Sequence, residues 1–293
     1  MDGHNQILRY LTFTLPLLSS TFGSEVYVSC ATTILRYQDG HFTQPIKQGL
    51  GRVVSLAVDS DLGILFWSDV SAAKRGIYRT KIGDFTKVER IISDVDVVNG
   101  IGLDPGRGHV YWTDESRGTL EVARYDGTDR VVLLVDQFGL PRGVAVQATD
   151  GYLFWGDQGT GHIHRSRLDG SERAILLNDT IWPNAVVWDS YRSSLLWVDG
   201  WTNKMMASTG DGDTQAIFSD LSILTNESSL FGLTVDSGQY MATLRDGRIF
   251  LLSTNGELSR VMEVGDLQNC TDLFAIVARR TEEDVNGAYH LLI

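Results

Sequence analysis

The sequence predicts an all-β protein, a propeller of four-stranded antiparallel blades, on two observations. The tetrapeptide Tyr111-Trp112-Thr113-Asp114 has echoes in Phe66-Trp67-Ser68-Asp69, Phe154-Trp155-Gly156-Asp157 and Leu196-Trp197-Val198-Asp199. Their starts at 66, 111, 154 and 196 are 45, 43 and 42 residues apart. A near-constant period of this length marks a propeller or a solenoid. The unit around the echo also repeats. An alternating apolar stretch precedes it, as in Val54 to Val58, Gly100 to Leu103, Val144 to Val146 and Ala185 to Trp188. A third stretch closes in Asp126-Gly127 or Asp169-Gly170, and a fourth follows, Val131 to Leu134 or Ala174 to Leu177. Asp-Gly between two such runs signals a hairpin, because glycine supplies the positive φ of the turn. Four short strands per period describe a propeller blade rather than a solenoid coil.

These motifs carry a resemblance. The aromatic-Trp-Ser/Thr-Asp echo, a following strand that closes in Leu168-Asp169-Gly170, and Trp182-Pro183-Asn184 ahead of an inner strand are similar to the YWTD, or class B, repeat of the low-density lipoprotein receptor family. The resemblance runs over residues 25–279. It implies a six-bladed propeller, so two further blades are expected. It also implies protein-ligand binding on the rim, as in the ectodomains of lipoprotein receptors and Wnt co-receptors, with endocytosis or Wnt signalling as the duty of such receptors.

Each element then finds a place. Arg9 followed by the apolar core Tyr10 to Leu18 and the small residues up to Gly23 reads as a secretory signal peptide over residues 1–23. Residues 24–280 form the propeller. The first blade draws on both ends of the chain: Glu25 to Ser29, Ile34 to Tyr37 and Phe42 to Ile46 from one, and the apolar run Leu273 to Ala278 as its inner strand from the other. Such closure removes exposed sheet edges. With Asp114 set opposite Asn99 in the third-blade hairpin, the same register sets Cys30 opposite Thr271. That places it beside Cys270 and predicts a ring-closing disulfide Cys30–Cys270. The second blade runs from Val53 to Ile92, and the third and fourth are the most regular. The fifth holds Leu196 to Asp199. The sixth is degenerate, its echo decayed to Tyr240-Met241-Ala242-Thr243. Residues 281–293 read as a tail. Three glycosylation sequons, at Asn178, Asn226 and Asn269, fall between strands and fit a secreted glycoprotein.

Composition narrows the function. A net charge of -12 disfavours nucleic acid and anionic membrane surfaces, and leaves a basic partner or a divalent cation easier to accommodate. Two cysteines exclude a Cys-rich zinc site, and no apolar run is long enough to span a bilayer. A monomer without cofactor or resident metal is expected, either complete or part of a larger receptor ectodomain.

The repeated Trp67, Trp112, Trp155 and Trp197 and the repeated Asp69, Asp114, Asp157 and Asp199 read as scaffold, because an active site occurs once and these recur. Period-two alternation sends the indoles to one sheet face, where they fill the gap to the neighbouring blade. The carboxylates end the second strand, where they accept loop N–H groups. Non-repeating residues on one rim are the binding candidates: Asn99, Glu115, Arg117, Arg142, Trp182, Asn184 and Trp201. Trp and Arg there have hot-spot composition. The resemblance itself assigns the binding role to Trp182 and Asn184. No catalytic Ser-His-Asp set or phosphate loop appears, and His162 and His164 read as solvated on one strand face. The rival reading is a calcium-dependent lactonase-type propeller holding a cation with Asn99, Asn184 and Asp272 at the channel mouth. Arg142 in the same ring opposes it.

Overall fold

Alternating apolar stretches separated by glycine turns fold as six antiparallel sheets of four strands each in the computed structural model. The structure describes residues 25–38, 41–43, 46–135, 139–212, 215–225, 228–236, 238–264 and 273–279. Blade 2 comprises Val53–Asp59, Ile64–Asp69, Gly76–Lys81 and Asp84–Ile92. Blade 3 comprises Val98–Asp104, His109–Asp114, Thr119–Arg124 and Val131–Val135. Blades 4, 5 and 6 begin at the inner strands Pro141–Gln147, Pro183–Asp189 and Leu230–Asp236. Blade 1 consists of Glu25–Cys30, Thr33–Gln38 and the two-residue His41–Phe42, with Leu273–Arg279 paired antiparallel to Glu25–Cys30 as its inner strand. Its outer edge is short, extended only by a bridge between Ile34 and Lys47. The six inner strands contact one another in sequence and return to the first, enclosing an axial channel. Among the described residues no helix is long and apolar enough to cross a membrane.

An apolar cluster fills each blade interface. Trp67 packs with Tyr27 and Ile34 of blade 1, Trp112 with Phe66 and Ile77 of blade 2, Trp155 with Tyr111 and Leu120 of blade 3, and Trp197 with Phe154 and Ile163 of blade 4. The indole therefore faces the preceding blade, and the aromatic before it faces the following one. This follows from strand alternation, which sends adjacent side chains to opposite faces.

The register corrects two expectations. Asp114 pairs with Val98 rather than Asn99, because the inner strand is bulged between Val98 and Gly100. Cys30 likewise pairs with Leu273 rather than Thr271, with an irregularity between Ser29 and Cys30. A bulge places two residues of one strand opposite one of its partner, which an unbroken alternation does not anticipate. In blade 6 Leu244 pairs with Leu230, as Asp199 pairs with Pro183 in blade 5. The decayed echo is thus Met241-Ala242-Thr243-Leu244, one residue later than the pattern suggested. Ala242 holds the indole's place, and Tyr240 and Phe250 supply the bulk instead.

Inner strands approach closely where the side chain is absent. A Cβ on Gly100 would lie 2.5 Å from the Arg142 carbonyl oxygen, and one on Gly143 would lie 2.7 Å from that of Asn184. Both fall well inside van der Waals contact.

Candidate functional site

All six inner strands carry an irregularity next to their first residue, at Leu273/Ala275 in blade 1 and, in the other five, at Val53/Ser55, Val98/Gly100, Pro141/Val144, Pro183/Val186 and Leu230/Leu233. In those five the residue released there lines the axial channel. These residues are Val54, Asn99, Arg142, Asn184 and Phe231, around a cavity of about 320 Å³. Each is followed by a small residue: Ser55, Gly100, Gly143, Ala185 and Gly232. A variable residue ahead of a small one at the start of each inner strand is the sequence signal that locates the mouth. Phe231 was readable only by that signal.

A second cavity of about 250 Å³ opens at the mouth, bounded by Arg52, Asn99, Glu115, Arg142, Phe231 and Arg245. Arg142 reaches Glu115 at 2.9 Å and donates from Nε to Gln158 Oε1 at 2.6 Å. Asn99 donates its amide to the same Glu115 carboxylate. Burial lowers the Arg142 pKa; Glu115 opposes that shift and the Arg245 charge adds to it. Arg142 remains cationic throughout the accessible pH range. Arg245 is exposed, its guanidinium 4.8 Å from the centre of the Phe231 ring. Among the described residues, Arg142 and Arg245 against Glu115 leave a positive charge at the mouth of a chain whose net charge is -12.

Asn184 is 5% exposed and ties blade 5 to blade 6 through Nδ2 and the Leu230 carbonyl at 2.9 Å. Its Oδ1 is buried with no protein partner. The rim therefore holds Asn184 as a strut with one free acceptor. Asn99, Glu115, Arg142 and Asn184 come together at this mouth.

Trp182 and Trp201 meet elsewhere on the rim, in the top loops of blade 5. Their ring centroids are 6.5 Å apart at 31°. Trp201 is 68% exposed and Trp182 half-buried. Arg117 belongs to a third network: Nη2 to Asp94 at 2.6 Å, Nε to Asp96 at 2.9 Å, and 3.7 Å to Asp114. Hydrogen bonds to Asp94 and Asp96 raise its pKa. It braces the loops between blades 2 and 3.

The repeated aspartates each collect N–H groups from two loops. Asp157 accepts from Leu140, Gly159 and Thr160, and Asp199 from Ile181, Trp182, Trp201 and Thr202, at 2.8–3.2 Å. Asp69 and Asp114 act alike on Gly51, Arg52 and Ser71, and on Asp96, Val97 and Arg117. Such geometry fixes the loops on which the rim residues stand.

Cys30 is disulfide-bonded. The other cysteine, Cys270, lies outside the described residues, as do Asn226, Asn269, Asp272 and residues 1–23 and 280–293. Asn178 stands exposed on the loop before Trp182. His164 departs from the expectation of a solvated side chain: it is buried, stacked on Trp155 at 5.1 Å. The solvated reading fails because the strand face it shares is the inter-blade face. Among the described residues no group of three or more His, Cys, Asp or Glu side chains is arranged to hold a metal ion.

Comparisons with known proteins agree with this geometry. The family described as SMP-30/Gluconolactonase/LRE-like region matches residues 65–178. The vitellogenin receptor Yl of Drosophila melanogaster is 37% identical over 81 residues, 27% of this chain and 4% of that protein. Protein cueball of Drosophila virilis is 30% identical over 94 residues, 31% of this chain and 15% of that protein. The alignments thus span a small fraction of each relative. Among solved structures, a chain of the nidogen/laminin complex superposes with a TM-score of 0.78 at 22% identity, covering 88% of this chain and 99% of that one. A luciferin-regenerating enzyme superposes with a TM-score of 0.60 at 14% identity, covering 74% and 77%.

Proposed function

Taking as premise that the chain is a six-bladed propeller of low-density lipoprotein receptor class B (YWTD) repeats, we propose that it is a non-catalytic binding module for a protein ligand outside the cell. The observation that carries this reading is the mouth where Arg142 and Arg245 stand beside Phe231 with Glu115 as the carboxylate among the described residues that line it. A rigid ring presents these groups already ordered, which lowers the ordering cost of association. Arginine beside an aromatic ring recurs at energetic centres of protein interfaces. The surplus charge selects a ligand that brings a carboxylate to the mouth. The vitellogenin receptor likeness supports a receptor-type setting. The signal peptide over residues 1–23, a monomeric state, glycosylation at Asn178, Asn226 and Asn269, and membership of a larger ectodomain belong to the same proposal. So do endocytic or Wnt-linked duties. Trp182 and Trp201 extend the binding surface, while Arg117 supports it from the blade 2–3 loops.

Screening the chain against an array of recombinant extracellular ectodomains tests the reading. A binder is expected whose affinity falls about tenfold or more in R245A, an exposed position, and in R142A, with the melting temperature of R245A unchanged. Such binding weakens as salt screens the mouth. Binding indifferent to both substitutions overturns it.

A second reading, a calcium-dependent lactonase, is favoured by the family match over residues 65–178 and by the buried Asn184 Oδ1, which has no partner among the described residues. The Arg142 guanidinium in the same mouth repels a cation, and the Asn99 amide nitrogen is turned to Glu115. Calcium-dependent lactone hydrolysis abolished in N184A would establish this reading in place of the first.

A further inference from the structure

Four exposed large apolar side chains stand on neighbouring loops at one corner of the rim. Three loops are stitched together there. Gly200 donates to the Trp182 carbonyl, Leu221 to the Asn203 carbonyl, and the Asn203 amide to Thr225 and Ser228. On these loops Ile181, Trp201, Ile223 and Leu224 are exposed, and the half-buried Trp182 backs Trp201. The loops are held from below. Asp199 binds the N–H groups of Ile181, Trp182, Trp201 and Thr202, and Arg248 donates to the carbonyls of Leu224 and Thr225. The apolar groups are thus presented on fixed backbone. A contiguous exposed apolar patch on fixed loops marks an interaction surface.

Its charge is opposite to that of the mouth. Asp179 stands exposed on the Trp182 loop, and Asp220 at the foot of the Ile223 loop. Two hydrogen bonds from Ser222 hold Asp220 below the ordinary carboxylate range. Lys204 sits 3.5 Å from Asp220 and Arg248 is paired with Asp246 at 2.6 Å, so among the described residues Asp179 is the carboxylate in excess. Indole faces beside carboxylates attract a cation by ring quadrupole and by charge together.

We propose that the corner formed by Trp182, Trp201 and Ile223 binds a partner segment that combines aliphatic or aromatic side chains with lysine or arginine. The inference rests on the protein-binding reading and deepens it. The ligand would meet the propeller at two points of opposite sign, an acidic group at the mouth and a basic, apolar segment at the blade 5 corner. Opposed charges fix the orientation of a docked partner, since the reversed pose sets like charges together.

A random peptide display library panned against the folded chain tests this. The expected result is an enriched set of peptides bearing Lys or Arg beside Leu, Ile or an aromatic residue. Their affinity falls at least tenfold in W201A and several-fold in D179N/D220N, while thermal unfolding of the exposed variant W201A stays at the wild-type temperature. Three results overturn the proposal: no enrichment, an acidic consensus, or peptides indifferent to W201A. Light scattering runs beside it, and a dimer abolished by W201A would assign the corner to a second copy and also overturn it. Failure of the mouth reading registers separately, as ectodomain binding indifferent to R245A.

Discussion

Asp69 is one of the four repeated carboxylates that gather loop N–H groups. Its carboxylate takes four hydrogen bonds, from the backbone of Gly51, Arg52 and Ser71 and from the Ser71 hydroxyl. Burial pushes its pKa up, but the Ser71 hydroxyl and the three N–H donors outweigh burial and leave it below the usual value. The sign follows from linkage. A folded-state pKa below the unfolded one stabilises the fold above about pH 4, and that contribution is lost as pH falls through the folded value. D69N is therefore expected to lose about 1.5–3 kcal/mol at pH 7, the range for hydrogen bonds to a charged group. In urea titrations the gap to wild type should shrink between pH 5 and 3; a constant gap would contradict the role of the charge. The recurrence of this aspartate was plain in the sequence. Its partner was not, because a bulge releases Asn99 and sets Asp114 opposite Val98. Nor was the burial of His164, which lies against its strand partner Trp155 on the face that packs between blades.

The second strand of each regular blade sends its indole into the gap to the preceding blade. Trp112 is fully buried among residues of blades 2 and 3. W112A should cost about 3–5 kcal/mol, the range for removing a large aromatic from a core. W201A, on an exposed loop, should stay within about 0.5 kcal/mol. Differential scanning calorimetry separates the two. Blade 6 uses another device. Tyr240 donates its hydroxyl to Asp189 of blade 5 at 2.6 Å, as Tyr125 of blade 3 does to Asp59 of blade 2 at 3.0 Å. Burial, with the Asp189 carboxylate, raises the Tyr240 pKa. Y240F leaves Asp189 short of one donor and should cost about 1–3 kcal/mol by denaturant unfolding, with the ring's packing kept. The echo, recurring every 42 to 45 residues, located four blades. It missed blade 6 by one position because tyrosine invited alignment with the first residue of the motif, whereas its ring replaces the lost indole from the neighbouring site.

For the ring as a whole, the repeat period and the turn residues located four regular blades, while the count of six followed from the family resemblance and is what the six sheets show. The mouth was only partly legible. Asn99, Glu115 and Arg142 were identifiable as non-repeating rim residues, but Arg245 carries no repeat signal, and the blade 6 hairpin that pairs Leu230 with Leu244 brings it beside Phe231. Cys30 occupies the register position that aspartate holds in the regular blades. A disulfide to Cys270 there would replace the carboxylate clamp by a covalent one. Its loop spans most of the chain, so the chain-entropy model assigns it up to about 5 kcal/mol. Reductant is expected to lower the unfolding midpoint of the wild type and leave that of C30S unmoved; a wild-type curve indifferent to reductant would refute the latch. The bulges at the inner-strand starts have a consequence for descent. Each lifts one side chain out of the ladder, so Val54, Arg142 or Phe231 can be exchanged without rewriting strand pairing. A lineage can retune what the pore accepts one letter at a time, as a lock is re-pinned while its barrel stays in the door.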